Sequence, residues 1–184
     1  PMCLLRTCLT LLGLLASAHG AEIRVLGDIT SSTVWTADNT YDLGADTHFV
    51  LPGASLTIEA GTVIASDTGG GGGLAVARGG QIFIQGTRDA PVIMTSRADV
   101  ATWVSDPSHP SGGDPTTGSW RPAINEWGNL TLMGAALISE DEAPTGLSNA
   151  PVPAAGNQAD MEGLEIALGN EAVVRYGGGD DDDD

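Results

Sequence analysis

The chain contains no lysine, and its cysteines are confined to positions 3 and 8. Aromatic residues make up 4% of it. Seven arginines face 24 aspartates and glutamates, for a formal charge of −17. Each shortage closes a class of function. A surface this acidic cannot neutralise phosphates and release counterions, so nucleic-acid binding is excluded. The lack of basic clusters argues against docking on anionic lipid. Without lysine, the glycine run Gly69–Gly73 cannot be a phosphate loop, which needs Gly-x-x-x-x-Gly-Lys-Ser/Thr. With cysteine only at the extreme N-terminus, the rest of the chain has neither a disulfide framework nor a thiolate metal site.

What is present is turn-forming and apolar at once. Glycine and proline supply 36 of 184 residues, yet 41% of the chain is hydrophobic. That is too apolar for a disordered acidic tail. It suits an all-β or solenoid chain that turns often and still buries a core.

Residues 1–20 have the order of a secretory signal peptide. Arg6 forms a short basic region, an apolar run extends from Cys8 to Ala16, and small residues follow. Cleavage fits after Ala18 or Gly20. The run is shorter than the roughly 20 residues of a membrane span, so no transmembrane segment is expected in the mature chain. A secreted or outer-envelope location follows as the expectation.

Residues 21–47 read as an N-terminal lead-in or cap, with short alternating patterns at Ile23-Arg24-Val25 and Thr33-Val34-Trp35. From 48 to 96 the chain repeats a small unit. Leu56-Thr57-Ile58, Thr62-Val63-Ile64, Leu74-Ala75-Val76, Ile82-Phe83-Ile84 and Val92-Ile93-Met94 are short apolar units. Glycine or another small residue sets them apart. One and the same offset separates Leu56 from Leu74, Leu74 from Val92, and Ile64 from Ile82. A recurring offset near 20 marks a solenoid, because units this short bury their faces only by stacking on neighbours. The spacing therefore predicts that Leu56, Leu74 and Val92 form one column. A sandwich of hairpins would favour two-residue Asn-Gly or Asp-Gly turns, and this stretch has none.

Two segments break the rhythm. Residues 97–126 hold Pro107, Pro110, Pro115 and Pro122, and residues 139–160 hold Pro144, Pro151 and Pro153. Both are expected to be long excursions from the coil, with Trp103 and Trp120 pinning the first to the body. Coil-like units return at Trp127–Gly134 and at Met161-Glu162-Gly163-Leu164-Glu165-Ile166. A solenoid needs a polar cap. The ending Tyr176-Gly177-Gly178-Gly179 followed by five aspartates does not read as one, so the chain is expected to be the N-terminal part of a longer protein.

Leu56-Thr57-Ile58-Glu59-Ala60-Gly61-Thr62-Val63-Ile64 resembles the LTIEpGTVI segment of a family of secreted bacterial right-handed parallel β-helix proteins. Gly79-Gly80-Gln81-Ile82 through Gly86-Thr87 to Pro91-Val92 is similar to that family's glycine-rich turn. Trp127-Gly128-Asn129-Leu130 resembles its WGG step, with Asn129 in place of the second glycine. Met161-Glu162-Gly163 and Tyr176-Gly177-Gly178 with the acidic tail are similar to its EG…YGG…DD segment. The resemblance implies an all-β, right-handed parallel β-helix at the cell surface or secreted, some members being labelled lipoproteins. It implies no defined reaction, and no lipobox stands before Cys8.

Asp180, Asp181, Asp182, Asp183 and Asp184 are the candidate metal ligands, since closely spaced carboxylates offer hard oxygen donors to Ca²⁺. They lack the EF-hand spacing. His48 is expected to be structural and His109 exposed. Neither sits in a zinc spacing, and no Gly-x-Ser-x-Gly elbow marks a nucleophile. No catalytic or cofactor-binding residue is assigned. Two functions remain open. One is a non-enzymatic surface β-helix whose excursions meet a partner or glycan. The other is a polysaccharide lyase or hydrolase, for which Asp99, Asp106, Asp114, Glu126 and Arg121 are the nearby candidates, with a site largely beyond residue 184. Trp103, Trp120 and Trp127 would stack on sugar rings in that case and staple the loop otherwise.

Overall fold

The computed structural model describes residues 20–69, 72–136, 138, 158–161, 163–164 and 171–178. The short strands are β1 (Ala21–Arg24), β2 (Thr33–Trp35), β3 (Asn39–Asp42), β4 (Thr47–Val50), β5 (Ser55–Ile58), β6 (Val63–Ser66), β7 (Gly73–Val76), β8 (Gln81–Ile84) and β9 (Ile93–Ser96). A one-turn helix, α1 (Arg97–Val100), follows. Then come β10 (Val104–Ser105), β11 (Gly113–Asp114), β12 (Leu130–Leu132), β13 (Gln158–Asp160) and β14 (Arg175–Gly177).

Three parallel sheets form the walls. The first is ordered β1-β3-β6-β9, the second β2-β5-β8 and the third β4-β7-β12. The chain visits the second, first and third sheets in turn. It does so at β2-β3-β4, at β5-β6-β7 and at β8-β9-β12, which is three coils of a parallel β-helix. Below them β1 begins the first sheet, and Ile29 bridges to Val50 in the third.

Period-two alternation explains the core. Trp35, Leu56, Ile58, Ile64, Leu74, Val76, Val50 and Leu43 point inward and are buried. Tyr41 stacks on Trp35 at 4.6 Å between ring centroids and accepts a hydrogen bond from the Thr36 N–H at 2.9 Å. Residues of the third sheet with the opposite parity, Phe49 and Ala75, face outward into a second cluster with Met133, Val173 and Val174. Both faces of that sheet are thus covered, and β7 is buried along its whole length.

The rungs do not repeat at a fixed interval. Ile23, Tyr41, Ile64 and Met94 lie level in the first sheet, and each step along the chain is longer than the one before. Trp35, Ile58 and Ile84 lie level in the second. Val50, Val76 and Leu132 lie level in the third, where the second step is more than twice the first. The expected column of Leu56, Leu74 and Val92 is therefore corrected. Leu56 stacks on Ile82 and Leu74 on His48, while Val92 precedes β9. The offset from Leu56 to Leu74 joins different walls of one tube, since corner loops vary widely in length while the wall strands stay at three or four residues. Gly53 and Gly79 show how corners stack. Both have φ near +80° (80° and 76°), a conformation that disfavours side chains, and the Gly53 N–H donates to the Gly79 carbonyl at 2.8 Å.

Most of the excursion expected at 139–160, and Glu162, Glu165 and Ile166 of the coil-like unit expected at 161–166, lie outside the described residues of the C-terminal segment. In its described part β13 and β14 pair antiparallel, and Met161 and Leu164 pack on the outer cluster of the third sheet. Arg78 fastens the segment by donating to the Gly177 carbonyl at 2.6 Å.

Ile64 has no exposed surface and sits between Tyr41 and Met94. Ile64→Ala is expected to cost about 2–5 kcal/mol. Val34→Ala, on the exposed outer face of the second sheet, should stay within about 0.5 kcal/mol. Denaturant melts of the two variants check this, and equal losses would contradict the assigned wall orientation.

Candidate functional site

The excursion after β9 is a folded unit rooted on one carboxylate. Ser96 is the N-cap of α1, its hydroxyl accepting from the Asp99 N–H at 3.0 Å. A serine here satisfies a backbone donor that the first helical turn leaves unpaired. The same hydroxyl donates to Glu126 Oε2, which ties the start of the excursion to its end.

Asp99 is 1% exposed. Its Oδ2 accepts from the Thr95 hydroxyl at 2.8 Å and from Trp103 Nε1 at 3.2 Å. Its Oδ1 accepts from the Trp120 N–H at 3.0 Å. A buried carboxylate is tolerable only with such partners. Gly118 passes so close that a Cβ there would lie 2.3 Å from Asp99 Oδ1. Thr102 and Ser119 continue the web, with Thr102 donating to the Asp99 carbonyl and accepting from the Ser119 N–H. Farther out, β10 and β11 pair antiparallel, and Asp114 caps a short 3-10 turn by accepting from the Thr116 N–H and hydroxyl.

A second set of charges binds the root of α1 to the first sheet. Asp42, 3% exposed, takes Arg24 at 2.8 Å and Arg97 at 3.4 Å and accepts from the Gly44 N–H at 2.8 Å. Arg97 also meets Asp67 at 3.2 Å and Glu22 at 3.5 Å. Hydrogen bonding to Asp42 raises the Arg24 pKa above its ordinary value, and hydrogen bonding to Asp67 followed by the charge of Asp42 does so for Arg97.

Between the excursion and β9 lies a cavity of about 270 Å³. Trp103, Trp120, Asp99 and Glu126 line it, with Met94 and Ile124 among its apolar neighbours. Asp99 and Glu126 are thus the members of the carboxylate set that meet in one cleft. Asp106 and Asp114 sit in surface turns, and Arg121 lies over the Trp120 ring, 4.9 Å from its centroid. Trp103 ties the excursion together internally, through Asp99 and His109. Trp120 is 46% exposed and lines the cleft, while Trp127 packs against the main core.

His48 is buried, with Nδ1 3.1 Å from the Gly27 carbonyl and Nε2 3.1 Å from the Leu43 carbonyl, a structural position. The expected exposure of His109 is corrected. It is half-buried, edge-on to Trp103 at 6.5 Å, with Nδ1 2.8 Å from the Ser111 hydroxyl. The Ca²⁺ candidates Asp180–Asp184 lie outside the described residues. Among the described residues no group of three or more His, Cys, Asp or Glu is gathered to hold a metal, and no helix is long and apolar enough to cross a membrane.

These features define a parallel β-helix with a loop-walled cleft on its first sheet. Residues 27–104 match the family model of the pectate-lyase like beta helix domain. No curated protein and no solved structure matches the chain. The matched stretch covers the first two coils and the start of the third and ends inside the excursion, so most of the cleft's outer wall lies beyond it.

Removing the Asp99 charge tests the assembly of this unit. Asp99→Asn leaves one carbonyl for three donors and should cost about 1–3 kcal/mol. Hydrogen exchange is expected to quicken across 97–120 and to stay unchanged in β5–β7. Uniform acceleration would contradict a local role.

Asp106 offers a pH test. Its pKa is lowered from the ordinary carboxylate value, first by the Ser108 hydroxyl, then by the Ser108 N–H and the nearby His109. A depressed folded value means the turn is fully supported above the unfolded pKa and loses that support as pH falls through the folded one. Titration of the Asp106 carboxyl carbon by NMR should show the low midpoint, and Ser108→Ala should raise it. An unmoved midpoint would contradict the assigned cause.

Proposed function

We propose that this chain is a secreted or cell-envelope β-helix that works by contact, and that the 97–126 excursion is its contact site for a surface partner or a glycan. The observation that carries the reading is the state of Asp99. It accepts three hydrogen bonds from the loop it organises and the strand beneath, so its chemistry is committed to holding the cleft open and rigid. Preorganised walls lower the ordering cost of binding. The leader-like order of residues 1–20 and the acidic, lysine-free composition support an exported protein.

A second reading, catalysis on polysaccharide, draws on the pectate-lyase like match and on two carboxylates lining one cavity. Hydrolysis needs one carboxyl group to give a proton while the other attacks or activates water. Asp99 is engaged on both oxygens, and Glu126 holds Ser96. Elimination needs a base beside an acidic sugar, and among the described residues no cationic side chain lines the cavity to receive one.

Incubating the full-length protein with a panel of plant and algal polysaccharides separates the readings. The contact reading expects retention on one or more glycans or surface partners without turnover. Turnover abolished by Glu126→Gln would overturn it.

A further inference from the structure

We infer that the cleft beneath the 97–126 excursion is a receptor for a compact organic cation, an alkylammonium group carried on a small apolar body. The inference rests on the contact reading above and gives that site its ligand chemistry. Four observations converge on it. The lining is apolar over much of its extent, through Ile93, Met94, Pro115 and Ile124. Among the described residues the charged groups that line it are the carboxylates Asp99 and Glu126, so an anion entering it would meet like charge. Trp103 and Trp120 are both among the lining residues, and an indole face attracts cations through its quadrupole. The Trp120 ring already holds one cation, the Arg121 guanidinium at 4.9 Å.

The two carboxylates have different parts. Asp99 is satisfied by Thr95, Trp103 and Trp120, and its role toward a ligand is through its charge and through the ring it positions. Glu126 uses Oε2 for Ser96, and its other oxygen has no hydrogen-bond partner among the described residues. Glu126 is half-buried, so part of its hydration is already stripped, which strengthens its pull on a cation. The volume of about 270 Å³ is at the small end for ligand sites and sets a limit on the guest. The formal charge of −17 on the chain would also raise the local concentration of cations.

The test uses the full chain with tetramethylammonium chloride and choline chloride as probes. The neutral isostere 3,3-dimethylbutan-1-ol, sodium chloride and neutral oligosaccharides serve as controls. Binding is read by calorimetry and by the NMR shift of the Trp120 indole N–H. The two ammonium probes should bind and move that signal, and the isostere and sodium should not. Glu126→Gln, which keeps an acceptor for Ser96, and Trp120→Leu, at a half-exposed position, should each weaken binding roughly tenfold, with the fold unchanged by circular dichroism. Equal response to the neutral isostere would overturn the inference by showing that shape alone selects. Binding of an oligosaccharide but of neither ammonium would overturn it while leaving the contact reading intact. Silence toward every probe also overturns it, and the contact reading fails with it only if the glycan and partner panel draws nothing as well.

Discussion

Short strands have little standing alone, and the molecule exists because they are stacked. Each of these strands turns only one or two side chains inward, worth about 1.5–3 kcal/mol each when fully enclosed, against an ordering cost of about 1–2 kcal/mol per residue. The balance turns favourable only when the level above and the level below cover the same side chains. Leu56 between the second-sheet neighbours Thr33 and Ile82, and Leu74 between His48 and Leu130, are such cases. The rigidity of the cleft descends from this stacking, since its floor is β9 and its anchor, Asp99, starts one turn beyond it.

The stack also explains why the long excursion is tolerated. Adding residues at a corner costs little in loop-closure entropy, about 0.6 kcal/mol per doubling of length. The third coil takes more than twice as long to return from Val76 to Leu132 as the coil below it takes from Val50 to Val76, and the rungs on either side keep their register. A solenoid can therefore carry a folded outgrowth without rebuilding its core. Here the outgrowth is built around a buried charge, which makes it specific: a carboxylate taken out of water needs each of its donors in place.

Much of the architecture is legible in the residues. The apolar triplets Leu56-Thr57-Ile58 and Leu74-Ala75-Val76 are strands of parallel sheets, and Gly53 and Gly79 are corners with positive φ. The interval between rungs is not legible, because Leu56 and Leu74 look alike in sequence whether they stand in one column or on two walls. Nothing in a string of short apolar units states how many make a turn. The cleft is half legible. The prolines of 97–126 mark an excursion, and Asp99, Glu126, Trp103 and Trp120 stand out within or beside it. Their convergence is invisible in sequence, since it depends on Trp120 returning its backbone N–H to a carboxylate far back along the chain. The tie from Ser96 to Glu126, which spans the whole excursion, has no local signal at all.

The stacking itself is most directly tested by cross-linking, with Cys3 and Cys8 replaced by serine. Thr57 and Phe83 are level neighbours on the outer face of the second sheet, and adjacent strands run about 4.7–4.9 Å apart, inside the Cα separation of about 4.4–6.8 Å that a disulfide spans. Thr57 and Ala75, the middle residues of two look-alike triplets, stand on different sheets. The account requires the Thr57→Cys/Phe83→Cys variant to close a disulfide readily under mild oxidation and Thr57→Cys/Ala75→Cys to remain reduced. The opposite pattern would contradict the order of the walls, and with it the placement of everything built on them.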